Sequence, residues 1–199
     1  EMLDFLAARA IADVEAVEKR TYLRTVALRK HRGWLRVGRA ENGHALSVDL
    51  SPSLTPVLPN VLARLRSLFD LDARPDVVAE HLSADDRLRP LVRQTPGLRV
   101  PGCFDAFELA WRAVLGQQVS VRSATTLAGR LANKFGDTID TPFPQLNRLS
   151  PTASRLAAVE VKDLAKSGIV RTRAASLAAL AKAAARGGLL DLWAAEPEQ

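Results

Sequence analysis

Residues 113–124 read Ala-Val-Leu-Gly-Gln-Gln-Val-Ser-Val-Arg-Ser-Ala. An apolar helical run reaches Gly116, and a second helical pattern starts at Val121, behind Ser120. Between them stand Gln117 and Gln118. A primary amide offers both donors and an acceptor on a long stem. At an exposed joint it can reach into a groove and pair with base edges or bridge them. The helix that begins just after the pair has free N–H groups that can bind phosphate. The plain alternative, two solvated amides filling a loop, is the reading that composition alone favours.

Other candidates for chemistry have simpler explanations. Asp105 and Glu108 have the spacing of an N-cap and its capping-box partner, and Phe104 and Leu109 sit where a hydrophobic staple belongs. That explains both carboxylates without an acid–base role. Asp85 and Asp86 mark another helix start. The arginines of Arg-Thr-Arg-Ala-Ala-Ser at 171–176 suit phosphate, and suit a solvated helix face equally well. No Ser-His-Asp constellation, P-loop or dinucleotide-binding glycine fingerprint is present. Cys103 is the single cysteine, so there is no internal disulfide framework. His31, His44 and His81 are scattered without partners at metal-ligand spacing, so no metal and no cofactor is expected.

Twenty-eight Lys and Arg against 22 Asp and Glu give a formal charge of +6 over 199 residues. The surplus favours an anionic partner, nucleic acid first, although a merely soluble surface explains it as well. No apolar run approaches the length of a membrane span and no signal peptide is visible, so the cytoplasm is the expected location. The opening Glu-Met-Leu-Asp-Phe, already in helical rhythm, and the closing Glu-Pro-Glu-Gln both read as cut ends.

The elements that must position these residues fall in two groups. Leu3, Leu6 and Ala7 share one face of a short helix. Residues 21–29, 33–39 and 44–51 alternate in the manner of three antiparallel strands, with Gly33 and Gly43 as turn residues. Thr55 and Pro56 read as N-cap and first position of a covering helix that carries Val57, Leu58, Val61, Leu62, Leu65, Leu68 and Phe69. The rest is helical: 74–82, 85–93, 104–116 and 120–136, then a Pro-rich loop over 137–150, a helix over 152–168 broken near Val161, and a helix from Arg171. The expected fold class is α+β, with a small antiparallel-sheet domain over 1–72 and an all-α domain over 73–199.

Three stretches resemble one known family: "FLAARA" at 5–10, "LSVDLSPSL" at 46–54 and "LFDLDARP" at 68–75. A fourth, "PGCFDAFELAWRAVLGQQVSVRSATTLAGRLANKFG" at 101–136, is the most specific. They are similar to the AlkA family of DNA-3-methyladenine glycosylases II. "LAKSGIVRTRAASLAALAKA" at 164–183 is a weaker match to the segment that follows in that family. The order of parts agrees with the independent reading of sheet followed by helices.

The resemblance implies hydrolysis of the N-glycosidic bond between an alkylated base and deoxyribose, after the base leaves the stack. The implied partner is double-stranded DNA containing alkylated bases, met by a protein that is a monomer when complete, with no membrane involved. Gln118 occupies the position of the family's wedge residue and Gln117 the one before it. The family wedge is apolar, so Gln118 is a departure towards a polar plug. Phe5 matches an aromatic that borders the base pocket; a buried Phe on an amphipathic helix is the alternative. The family's helix-hairpin-helix and catalytic aspartate follow the region matched here, so no catalytic residue is assigned. The helical domain is expected to be incomplete and the chain by itself inactive. "KSGIVRTRAAS" at 166–176 lacks the second glycine of such a hairpin and matches the preceding family segment. A non-catalytic DNA-binding or damage-sensing module of the same fold is the main alternative. A relative of the 8-oxoguanine glycosylases fits the quoted stretches less well.

Overall fold

A computed structural model describes residues 1–41, 43 and 45–187. In chain order the elements are α1 (Met2–Arg9), β1 (Glu15–Glu18), β2 (Thr21–Leu28), β3 (His31–Arg39) and β4 (Leu46–Leu50). A 3-10 stretch, Pro52–Val57, follows, then α2 (Leu58–Leu68), α3 (Pro75–Leu82) and α4 (Arg89–Gln94). The remaining helices are α5 (Ala106–Gly116), α6 (Val121–Phe135), α7 (Ala153–Ala157), α8 (Val161–Ala165) and α9 (Arg171–Ala185). The fold is α+β, as expected.

Contacts gather the chain into two compact units. One holds Leu3–Leu58 and the described residues from Asp105 onward; the other holds Pro59–Phe104. This grouping cuts the chain differently from the chain-order division into 1–72 and 73–199. In the first unit the late helices return to the sheet.

The sheet of that unit runs β1-β2-β3-β4 with every neighbour antiparallel. Among the described residues the sheet has four strands rather than three. Glu15–Glu18 escapes periodicity because its inward residue is a glutamate, Glu15, 7% exposed. Gly33 is no turn residue: it pairs with Val26 inside β3. A side chain there would meet the Ser51 Oγ at 2.0 Å, so the close crossing of the chain after β4 requires glycine. The β2–β3 turn falls at Arg29, whose φ is 55°. Gly43, φ 74°, is the expected turn residue; His44, expected at the start of the last strand, lies outside the described residues.

β2 is buried from Tyr22 through Val26, on both faces. On one face the loop 137–150 seals it: the Thr25 hydroxyl donates to the Arg148 carbonyl at 2.6 Å, and Trp34 of β3 meets Phe143 edge-on at 5.1 Å. On the other face lies a charged cluster. Glu15 accepts from the Tyr22 hydroxyl, from the Ile11 N–H at 3.1 Å, from Arg24 at 3.5 Å and from Arg112 at 3.0 Å. Glu108 accepts from Arg24 at 3.0 Å and from Arg112 at 3.3 Å. Arg112 also donates to the Arg9 carbonyl at the end of α1. Two carboxylates and two guanidiniums therefore balance, and they join α1, β1, β2 and α5.

The helical core of the same unit is apolar. Trp111, Leu115, Leu131, Leu156, Leu164 and Leu177 are fully buried together, with Ile11 and Val14 from the loop after α1. The break expected near Val161 is where α8 begins. α6 ends at Gly136, whose backbone is extended, and a side chain there would strike the Leu149 carbonyl at 2.1 Å.

In the other unit α2 buries Val61, Leu65 and Leu68. Thr55 caps nothing with its side chain; it lies within the 3-10 stretch, and the α-helix starts at Leu58. Pro59 stands in the first turn, where the missing N–H costs little. Asp85 accepts from the N–H groups of Arg87 and Leu88 at 2.7 and 3.2 Å, capping the turn into α4.

Two outcomes follow from the charged cluster. Arg24→Leu removes the more deeply buried of the two guanidiniums that Glu15 and Glu108 share, and urea unfolding should show a loss of about 3–5 kcal/mol. The second concerns acid. Burial pushes the Glu15 carboxyl up, but Arg24, Arg112, the Tyr22 hydroxyl and the Ile11 N–H outweigh it and hold it below its ordinary 4.5. Its contribution is therefore complete above that value and is lost as pH falls through the lower folded value. Glu15→Gln should flatten the acid limb of the stability–pH curve while lowering stability at neutral pH.

Candidate functional site

The joint at 117–120 is held from both sides. Before it, the Asp105 carboxylate caps α5 by accepting from the Glu108 N–H at 2.9 Å. The expected capping box is only half made: the Glu108 carboxylate turns inward to Arg24 and Arg112, and Leu109 is exposed. Phe107, Trp111 and Leu115 are the buried face. After the joint, Ser120 caps α6, its hydroxyl accepting from the Ser123 N–H at 3.2 Å.

Gly116 remains helical and Gln117 is extended, φ −59° and ψ 124°. The reversal is made by Gln118, whose φ of 54° is left-handed. A non-glycine residue in that region costs on the order of 1–3 kcal/mol. Other non-glycine residues with positive φ include Lys19, Arg20 and Arg29. Those three stand at strand turns, where tight hairpins demand it. Gln118 stands between two helices, where glycine would serve the backbone better.

Both glutamines are exposed. Neither side-chain amide has a protein partner among the described residues. The joint is braced from α9 instead: Arg173 Nη2 donates to the Gln117 carbonyl at 2.7 Å. Gln117, Gln118, Thr172, Arg173 and Ser176 line a recess of about 580 Å³. Of the arginines in Arg-Thr-Arg, Arg173 is thus the one brought to the loop. Sequence spacing did not show that α9 returns to the end of α5.

Phe5 is not among the residues lining that recess. It is 39% exposed on α1, and its neighbour Leu6 is the buried residue, so the buried-core alternative for Phe5 does not hold. The Arg9 guanidinium lies 3.7 Å from the Phe5 ring centre and donates to the Phe5 carbonyl at 3.3 Å. The ring face therefore already holds a cation, in the geometry of a cation–π contact.

A second cleft of about 1200 Å³ runs along α6, with Val121, Arg122, Arg130, Lys134, Lys166 and Ser167 among its lining. Among the described residues no carboxylate lines either recess. The spacing of Arg122 and Arg130 on one helical face was the signal available for this basic row. Gly168, φ 86°, makes the turn from α8 to α9 against the Arg130 guanidinium. Among the described residues no group of three or more His, Cys, Asp or Glu could hold a metal ion, and no helix is long and apolar enough to cross a membrane.

Comparison with known proteins places these features. The AlkA N-terminal domain family matches residues 1–105, and the HhH-GPD superfamily of base excision DNA repair proteins matches residues 111–196. The chain is 41% identical over 188 residues to "DNA-3-methyladenine glycosylase 2" of Escherichia coli, covering 94% of this chain and 64% of that protein. It is 36% identical over 160 residues to a "probable bifunctional transcriptional activator/DNA repair enzyme AlkA" of Mycobacterium tuberculosis, covering 80% of this chain and 32% of that protein. The structure of a 3-methyladenine DNA-glycosylase from Archaeoglobus fulgidus shares the fold with a TM-score of 0.78 and 21% identity, over 91% of this chain and 62% of that one. With a sheet and an α5–α6 joint of this construction, and with more than half its length matched by the AlkA N-terminal domain, the chain belongs to the AlkA family.

Proposed function

We propose that the protein carrying this chain is a base-excision DNA glycosylase. It hydrolyses the N-glycosidic bond of alkylated purines, such as 3-methyladenine, after rotating the base out of the duplex. Membership of the family and the 41% identity to the E. coli enzyme support the reading. The chain spans 64% of the length of that relative. The observation that carries it is the joint itself: Gln118 is held in a costly backbone conformation, exposed, with its amide unengaged.

The physics of the reading is direct. A bond inside the stack is out of reach, so the enzyme must extrude the target base. The vacated space has to be filled, and a side chain on a stiff loop can fill it. Gln118 is that plug and Gln117 supports it, with Arg173 bracing the loop. N-alkylated purines can carry positive charge, and Phe5 offers them the ring face now covered by Arg9. The surplus of six positive charges draws the protein to phosphate. Glu15 and Glu108 are occupied by arginines and take no catalytic part. The protein acts as a monomer in the cytoplasm on double-stranded DNA.

Incubation with methylated DNA tests the reading. Release of 3-methyladenine well above the spontaneous rate is expected. Tight binding without release would favour a damage-sensing module instead. For the plug, Gln118→Ala should weaken binding to a duplex with an abasic site by about tenfold, the scale of one good base contact, and affect intact duplex little. The salt dependence should be unchanged, because no phosphate contact is touched. Gln118→Gly should melt no lower than the parent protein, since glycine relieves the left-handed strain, and yet lose the same affinity. Equal losses on both duplexes would remove Gln118 from the role.

A further inference from the structure

We infer that Arg112 is a positioning residue: it fixes the helix that carries Phe5, and through that helix the ring offered to the extruded base. This rests on the glycosylase reading above. α1 has little of its own to hold it. It is eight residues long; among the described residues it buries Leu6 alone, and no side chain caps its start. A helix that short is not stable in water by its internal bonds. Leu6 is one point of attachment, about which the helix can pivot. Arg112 supplies the second: its Nη2 donates to the carbonyl of Arg9, the last residue of α1. That carbonyl is one of those a helix end leaves open.

The two arms of the guanidinium have separate tasks. Nη1 lies between the carboxylates, 3.0 Å from Glu15 Oε2 and 3.3 Å from Glu108 Oε1. Nη2 makes the bond to the Arg9 carbonyl. The group is planar, so the ion pairs of the first arm set the direction of the second. Arg112 stands about one turn before Gly116, the last residue of α5. One helix therefore carries the plug loop at its end and the tie to α1 just before it. Phe5 lies about one turn from Arg9, and a shift of the Arg9 backbone moves the ring. Binding to abasic DNA uses the loop and phosphate contacts and has no need of the ring. Base release needs it. Loss of the tie therefore affects release and spares abasic binding, a split that general loosening of the fold does not produce.

The test is Arg112→Lys in the protein carrying this chain. A lysine ammonium is a single charged point that can stand between the two carboxylates but has no second arm for the carbonyl. Release of 3-methyladenine is read in single turnover with protein in excess, so only folded, DNA-bound molecules count. The rate should fall by about tenfold, short of the roughly hundredfold that a misplacement of about 1 Å can cost. Affinity for a duplex with an abasic analogue should match that of the unaltered protein. Phe5→Ala should lower the same rate, and Arg112→Lys should add nothing on that background, because both act through one ring. Leu6→Ala frees the same helix without touching the charged cluster. It should show the same split, which keeps the test decisive should the lysine variant fold poorly. An unchanged rate in either variant, an equal loss of abasic binding, or full additivity with Phe5→Ala overturns the proposal. An unaltered protein that releases no base would instead defeat the glycosylase reading itself.

Discussion

The position of every residue at the α5–α6 joint depends on two buried carboxylates shared between two arginines. Glu15 and Glu108, each under a tenth exposed, face Arg24 and Arg112. Removing four charges from water is costly, and mutual attraction offsets that cost only with full hydrogen bonding. Here the remaining capacity is used: Glu15 also takes the Tyr22 hydroxyl and the Ile11 N–H, and Arg24 donates to the Thr25 carbonyl. Such a cluster tolerates little displacement of its parts. It fixes α5 on the sheet at its first and second turns and ties the end of α1 to the same point.

From that anchor α5 runs to Gly116, and the strained reversal at Gln118 follows. The far side of the joint is held by the Ser120 cap and by Arg173. A loop braced at both ends and strained at its tip is a preorganised element, which loses little freedom when it enters a ligand. This is the mechanical content of the proposed plug. The same anchor sets the α1 backbone, through Arg112 and the Arg9 carbonyl, near Phe5.

The sequence showed the parts that rest on regular patterns. Strands β2, β3 and β4, the Asp105 and Ser120 caps, the break before α8 and the exposed pair Gln117–Gln118 were all legible, because periodicity and capping are local. The charged cluster was not. Arg24 in a strand reads as a solvent-facing residue, and Glu108 three positions after Asp105 reads as a capping box. They are buried against each other across 84 residues of chain, as Glu15 and Arg112 are across 97. β1 was hidden for the same reason, since its inward residue is Glu15. Gly33 looked like a turn residue because the neighbour that excludes a side chain, Ser51, lies 18 residues away. Arg173 was visible as a cation but its partner, a backbone carbonyl, has no sequence signature.

The central claim is that the Gln118 side chain occupies the space vacated by an extruded base. A structure of the protein carrying this chain, bound to a duplex with an abasic analogue, measures this directly. The account predicts Gln118 inside the base stack at the abasic position, with Arg173 still on the Gln117 carbonyl. DNA seated on another face, with Gln118 left in solvent, would contradict it.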